Sequence, residues 1–256
     1  FSNSSESVLQ VRPVALRIGV GDYFTELFDT SANDIDYKML TFRPDGSASF
    51  YAAYCDPATN FPTDPAGGTP LDLDDDDYAQ ITLSGGHEVS LYGSARNTLF
   101  VGSNGYITFG AGDTDYTESL ADHFDLPRIS ALFDDLYPAG NVSWKELSDR
   151  VVVTFLNVEE YDESNNNSFQ FELFYDGTIR IAYLQVDAAD GLAGLSQGLG
   201  IPADFAESDL SSYPQVPPPD ALAVTPKEGM SSVGYVGGPF TPSNKVYTLG
   251  NVGSNA

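Results

Sequence analysis

Cysteine is almost absent from this chain: Cys55 is the only one in 256 residues. An internal disulfide is excluded, and so is a zinc site built on several thiolates. The scarcity assigns no compartment, because many exported bacterial proteins lack disulfides. Basic residues are scarce as well, 11 Lys and Arg against 37 Asp and Glu, for a net charge of −26. Such a surface repels nucleic acid and anionic lipid, which bind to basic footprints. No apolar run approaches the roughly 20 residues of a membrane-spanning helix. Neither nucleic-acid binding nor membrane insertion is expected. No signal peptide is visible, and a trimmed mature chain would carry none. The only histidines, His87 and His123, lack ligand spacing, which leaves a zinc site unsupported.

Helical periodicity is nearly missing too. What is there instead is a series of short β-branched and aromatic runs, separated by Gly, Asp, Asn and Pro clusters. That spacing predicts an all-β antiparallel sandwich with long acidic loops. The expected strands are Val14–Val20, Lys38–Phe42, Gln80–Leu83, Glu88–Tyr92, Thr98–Val101, Tyr106–Phe109, Ile129–Phe133, Asn141–Trp144, Arg150–Val158, Ser168–Tyr175 and Thr178–Leu184. Val151–Phe155 is apolar on both faces and should be central. Asp176-Gly177 predicts a hairpin with a two-residue turn, and Asn104-Gly105 predicts a second hairpin. A turn or two of helix is expected at Thr117–His123 and Ala203–Leu210. The stretch Pro57–Asp77 reads as a long loop, and Gly191–Gly200 as a glycine-rich loop.

Composition divides the chain into a sandwich module over 1–212, a proline-rich linker over 213–220 and a strand set over 221–256. Three consecutive prolines, Pro217–Pro219, favour stiff, extended backbone in the linker. The tail reads as two strands and a turn, too little to bury a core by itself. A longer, modular natural protein is therefore expected, with adjacent domains as partners.

The middle of the chain, about Leu91–Gly200, resembles a nidogen-type module. The resemblance lies in Leu99-Phe-Val-Gly-Ser-Asn-Gly-Tyr-Ile-Thr-Phe-Gly110, Leu126-Pro-Arg-Ile-Ser-Ala-Leu-Phe-Asp-Asp135 and Asn141-Val-Ser-Trp144. It continues in Arg150-Val-Val-Val-Thr-Phe-Leu-Asn-Val158 and Asn167-Ser-Phe-Gln-Phe-Glu-Leu-Phe174. It implies a non-catalytic interaction or spacer unit of extracellular multidomain proteins, and no catalytic residues. The family's cysteines are absent here. The tail, Gly237-Gly-Pro-Phe-Thr-Pro-Ser-Asn-Lys-Val-Tyr-Thr-Leu249 with Asn251-Val-Gly-Ser254, resembles the opening of an immunoglobulin-like repeat of the BACON kind.

Calcium takes six to eight oxygen ligands, so clustered acids are the candidates to hold it. Four segments qualify: Asp29 with Asp34 and Asp36; Asp72 with Asp74, Asp75, Asp76 and Asp77; Asp113 with Asp115 and Glu118; and Asp134 with Asp135. None follows the EF-hand order. The plainer reading of each is a solvated turn or cap. Asp134 and Asp135 end a strand that should be buried, so at least one of them needs a partner. Arg128 is the expected partner.

Gly194-Leu-Ser196-Gln-Gly198 matches the outline of a nucleophile elbow, but both histidines precede it and the surrounding text reads as a glycine-rich loop. Cys55 reads as a small semi-buried thiol. With 37 acids, some carboxylate pair at a glycosidase separation is expected by chance and carries no information. Tyr116, Tyr137 and Tyr161 lie in polar, loop-like text and are candidate sugar platforms, against the simpler reading that they cover sandwich edges. Trp144 alternates with Val142 and reads as core.

Together these features predict a secreted or cell-surface accessory or adhesive module, stiffened by calcium, with polysaccharide or a neighbouring surface protein as its ligand. Two rival readings are a surface-layer or filament subunit completed by strand addition and a carboxylate-based polysaccharide hydrolase.

Overall fold

The computed structural model describes residues 22–29, 33–47 and 49–216, with short strand segments of the tail. The expected strand Val14–Val20 and most of the immunoglobulin-like stretch 237–254 lie outside the described residues.

In chain order the first strands are β1 (Thr25–Phe28), β2 (Lys38–Pro44), β3 (Tyr51–Pro57), β4 (Thr69–Pro70) and β5 (Tyr78–Thr82). Then come β6 (Val89–Leu91), β7 (Ser94–Arg96), β8 (Thr98–Gly102) and β9 (Tyr106–Thr108), followed by a short helix, α1 (Leu120–Asp125). The body closes with β10 (Pro127–Phe133), β11 (Leu136–Tyr137), β12 (Val142–Glu146), β13 (Arg150–Glu160), β14 (Asn167–Phe174), β15 (Ile179–Val186) and β16 (Gly191–Gln197). Six strands form one sheet in the order β1-β16-β10-β9-β8-β5. Eight form the other, β3-β2-β15-β14-β13-β12-β4, with β11 joined to β13. Every pairing is antiparallel, so the all-β sandwich expected from the sequence is what the chain builds.

The inner faces meet through aromatic packing. Phe24, beside β1 of one sheet, meets Phe42 on β2 of the other edge to face, with ring centres 5.6 Å apart. Tyr183 on β15 donates its hydroxyl to Ala131 O on β10 at 2.9 Å, which joins the two sheets. Both outer faces are also covered, which explains why strands such as β10 and β14 are buried on both sides. The expected long loop 57–77 lies over the eight-stranded sheet at Thr63, then joins its edge as β4 and ends at the β8–β9 turn. Thr63 N donates to Gln170 Oε1 at 3.1 Å and Gln170 Nε2 donates back to Thr63 O at 2.8 Å. Beside them the fully buried Glu172 is bridged by Arg150 at 2.9 Å and Arg180 at 2.8 Å. The segment leading into α1 lies over the six-stranded sheet, above Tyr106 and Phe133.

Four expectations need correction. Gly191–Gln197 is a buried strand rather than a loop. Gly194 carries no Cβ, and one would sit 2.5 Å from Phe24 O, so β1 packs closely there. The β14–β15 turn has three residues, Tyr175 to Gly177, because Phe174 N and O bond Thr178 O and Gly177 N. Ala203–Asp209 is not helical, and only a short 3-10 turn follows at Leu210–Ser212. The backbone here serves β1 instead: Ser208 N donates to Thr25 O and Leu210 N to Glu26 Oε2. Arg128 does not meet Asp134 or Asp135, but pairs with Asp113 and Asp125.

The strap after residue 206 crosses both sheets. It bonds β1 as above and then β3, where Cys55 N donates to Pro214 O at 3.0 Å. The first residues of the proline-rich segment are thus held on the body. In the tail, β17 (Leu222–Thr225) is joined by β18 (Val233–Gly234), β19 (Phe240–Thr241) and β20 (Thr248–Asn251). There β17 pairs with β20, and β18 with β19.

Glu26 sits under this strap. Burial first, and then the charges of Asp34, Asp209 and Glu207, push its carboxyl up to about 7, against the Leu210 N–H that favours ionisation. An acid with a raised folded pKa contributes stability that is complete below its unfolded value, near 4.5. That stability is lost as pH rises through the folded value. Glu26→Gln keeps an acceptor for Leu210 N and removes the titration. Thermal melts at pH 5 and pH 8 should show the native chain losing more midpoint than Glu26→Gln. Parallel losses would show that Glu26 does not titrate this way.

Candidate functional site

The site grows from a buried turn. Residues Ser103 to Gly105 join β8 to β9, and both Ser103 and Asn104 are fully buried. Ser103 Oγ accepts Asp77 N at 3.0 Å, and Ser103 N donates to Asp77 O at 2.8 Å. Asn104 Nδ2 donates to Asp76 Oδ1 at 2.9 Å and to Asp115 O at 3.2 Å, and its Oδ1 accepts Leu136 N at 2.9 Å. This one amide ties three acidic segments to the core. The Asn104-Gly105 pair expected to make a hairpin turn therefore also anchors the acidic loops.

From β10 the chain crosses to the other sheet through Asp134 and Asp135. Leu136 and Tyr137 then pair with Glu160 and Glu159 at the end of β13. Successive residues in extended chain point to opposite sides. Asp134 is accordingly buried, while Asp135 is half-exposed. Among the described residues, two groups of acids each bring one carboxylate oxygen per residue within 4.8 Å of the others. They are Asp75, Asp76 and Asp135 on the outer side, and Asp134, Glu160 and Asp190 on the inner side.

Beside the outer group stand Tyr137 and Tyr161, 41% and 46% exposed, their rings edge to face with centres 6.4 Å apart. Tyr161 N donates to Asp135 O at 2.8 Å, which fixes the pair to the acidic corner. The charges of Asp162 and Asp75 hold the Tyr161 phenol above its usual range. In the inner group, burial first and then the Glu160, Glu118 and Asp190 charges push Asp134 well above the usual carboxylate range. Burial likewise raises Glu160.

The other candidate acids have different roles. Asp74 Oδ1 accepts Asp75 N, and Asp77 Oδ1 accepts Tyr78 N. Asp113 pairs with Arg128 and accepts Thr114 N, so it does not converge with Asp115 and Glu118. Glu118 instead adds its charge beside the inner group. Asp29 is exposed after β1, Asp34 accepts the Ser211 hydroxyl at 2.6 Å, and Asp36 Oδ1 accepts Val186 N at 2.9 Å. Tyr116 is exposed but makes no ring contact with Tyr137 or Tyr161. Sequence reading missed Glu160 and Asp190. Their only signal is position, Glu160 at a strand end and Asp190 in an Asp-Gly pair before a strand.

The nucleophile candidates are sealed. Ser196 Oγ donates to Leu126 O at 2.9 Å and accepts Gly198 N. His123 is fully buried between Thr25 and Ser130, and burial together with the Arg128 charge lowers it to about 3, so it stays neutral. His87 pairs with Glu146 and stacks on Tyr175. Burial pushes the Cys55 thiol up, which makes it a poor nucleophile. Among the described residues neither histidine hydrogen-bonds Ser196 or Cys55.

An antiparallel sandwich with covered faces and an acidic, tyrosine-bearing corner is the form of a β module. The chain matches the NIDO-related family over residues 53–244, well over half its length, and belongs to that family. The match extends beyond 91–200 at both ends and runs through the proline-rich segment. No curated protein and no solved structure matches the chain. Family membership suggests an extracellular accessory module of non-enzymatic type. Among the described residues no helix is long and apolar enough to cross a membrane.

Proposed function

We propose that this chain is a non-catalytic accessory or adhesive module of a secreted or cell-surface protein, and that its Tyr137–Tyr161 corner takes carbohydrate. The observation that carries this reading is the exposed tyrosine pair bounded by the carboxylates of Asp75, Asp76 and Asp135. Sugars offer an apolar C–H face that stacks on an aromatic ring and hydroxyls that donate to carboxylates. Tyrosine supplies a rigid, amphipathic surface with few rotamers to freeze. Holding the rings from strand ends, rather than from a free loop, lowers the ordering cost of binding.

The test is retention in gels cast with soluble polysaccharides, followed by a glycan array. The native chain should be retarded by at least one polysaccharide. Tyr137→Ala with Tyr161→Ala should reduce that affinity by about tenfold or more, the effect of losing roughly 1.4 kcal/mol of contact. Absence of retention on any glycan, or equal retention of the double variant, would sink the proposal.

A further inference from the structure

Asp134, Glu160 and Asp190 come from three separate elements: the exit of β10, the end of β13 and the residue before β16. Each is fixed independently. Asp134 Oδ1 accepts Asp135 N at 2.8 Å. Asn165 holds Glu160 at two points, accepting its N–H at 2.9 Å and donating to its Oε2. Gly191, at φ +112°, sets Asp190 against Asp134, and a Cβ there would touch Asp134 Cβ at 3.5 Å.

Asp134 is only 6% exposed, and its second oxygen is buried with no hydrogen-bond donor among the described residues except a proton shared with the Glu160 carboxyl. A buried carboxylate oxygen left unpaired is costly. Glu118 adds a fourth negative charge nearby. Among the described residues every ion pair made by Arg, Lys or His is with some other acid. The cluster thus has concentrated charge, converging oxygens and no counter-ion from the protein.

We infer that Asp134, Glu160 and Asp190 form a calcium site, closed by an ion that enters the gap between the two sheets. Three carboxylate oxygens within 4.8 Å of one another suit a cation with bonds of about 2.3–2.6 Å. The donors are all oxygen, which favours a hard cation over zinc or copper. The proposal stands independently of sugar binding. The outer group of Asp75, Asp76 and Asp135 serves as its internal control.

The experiment is calcium titration of the chelator-treated 256-residue chain by calorimetry, with thermal melts in calcium, in chelator and in sodium chloride at matched ionic strength. The native chain should bind calcium in the millimolar range or tighter, as extracellular calcium modules do, and melt higher in calcium than in the salt control. Glu160→Gln should weaken binding at least tenfold, yet melt in chelator no lower than the native chain, because a repulsion is relieved. Asp76→Asn should retain the tight event. No binding by the native chain at 10 mM calcium, about ten times the weak limit of such sites, would mean that Asp134 and Glu160 share a proton only. That result would overturn the site. So would native affinity in Glu160→Gln, or a loss confined to Asp76→Asn.

Discussion

Gly105→Ala should prevent the body from folding. Gly105 sits at φ +76° in the buried turn, where an L side chain alone costs about 1–2 kcal/mol. Collision costs more. A Cβ at this position would lie 1.8 Å from Leu132 O and 2.8 Å from its carbonyl carbon. Both are main-chain atoms of the central strand β10, so no side chain can swing away. Nor can the turn retreat, because Gly105 O accepts Ala131 N at 3.0 Å and Leu132 N at 3.3 Å. Moving it would strip two bonds from buried amides. Domains are stable by only about 5–15 kcal/mol, and a clash of this depth competes with that whole margin. Near-ultraviolet circular dichroism and a thermal melt should show no cooperative native state for Gly105→Ala. The matched control is Gly110→Ala, at φ +95° with nothing within 4 Å of a Cβ. It should fold, with about 1–2 kcal/mol lost to the backbone alone. If both variants melt alike, the close packing of the turn on β10 is wrong.

Arg128→Met should cost about 3–5 kcal/mol, the usual effect of breaking a buried ion pair from one side. Arg128 is completely buried, with its guanidinium 4.4 Å from the Tyr106 ring centre and 5.0 Å from that of Phe133. Its Nη2 donates to Asp113, to Asp122 O at 2.9 Å and to Asp125 at 3.2 Å. Methionine fills much of the space, but leaves Asp113, only 13% exposed, without its counter-charge, whereas the exposed Asp125 can turn to water. For a domain of this size the loss corresponds to roughly 6–20 °C of melting temperature. Urea unfolding would measure it directly. Adding Asp113→Asn to Arg128→Met should restore part of the loss, because the stranded charge goes with it. If the double variant is no more stable than the single one, the charge pairing is not what Arg128 supplies.

The strands of the eight-stranded sheet were largely legible. Alternation in Phe169–Tyr175 and Ile179–Tyr183 marks β14 and β15 because those side chains face a core on one side. What alternation could not show is the cover on the other side. Gln170 and Glu172 alternate with the apolar residues, yet both are fully buried beneath Thr63, more than a hundred residues earlier. The glycines of β16 concealed a strand for a related reason. Small residues signal a loop locally, whereas here they admit the close approach of β1.

The candidate site was half legible. Asp134 was marked by its place at the end of a buried strand, and Tyr137 and Tyr161 by their polar surroundings. Their companions Glu160 and Asp190 were not, because no local pattern links a strand end to an Asp-Gly pair thirty positions on. The Arg128 expectation failed through distance too. Its partners lie on the segment covering the outer face, while Asp134 and Asp135 leave in the other direction.

The pairing order of the sheets also sets the order in which the molecule can assemble. β13, β14 and β15 are successive hairpin partners and can meet as soon as they leave the ribosome. β1 cannot, since its neighbour is β16, and β2, though it can form a hairpin with β3, takes its place in the sheet only once β15 is made. The earliest part of the body waits for the latest, and contacts of that span form slowly because a long loop must close first. The strap reinforces this delay, as Thr25 and Cys55 are bonded by Ser208 and Pro214. The body is therefore not built from its amino-terminal end. Its consecutive hairpins, β2–β3, β8–β9–β10 and β12–β13–β14–β15, can form first, and the body is shut when β16 takes up β1.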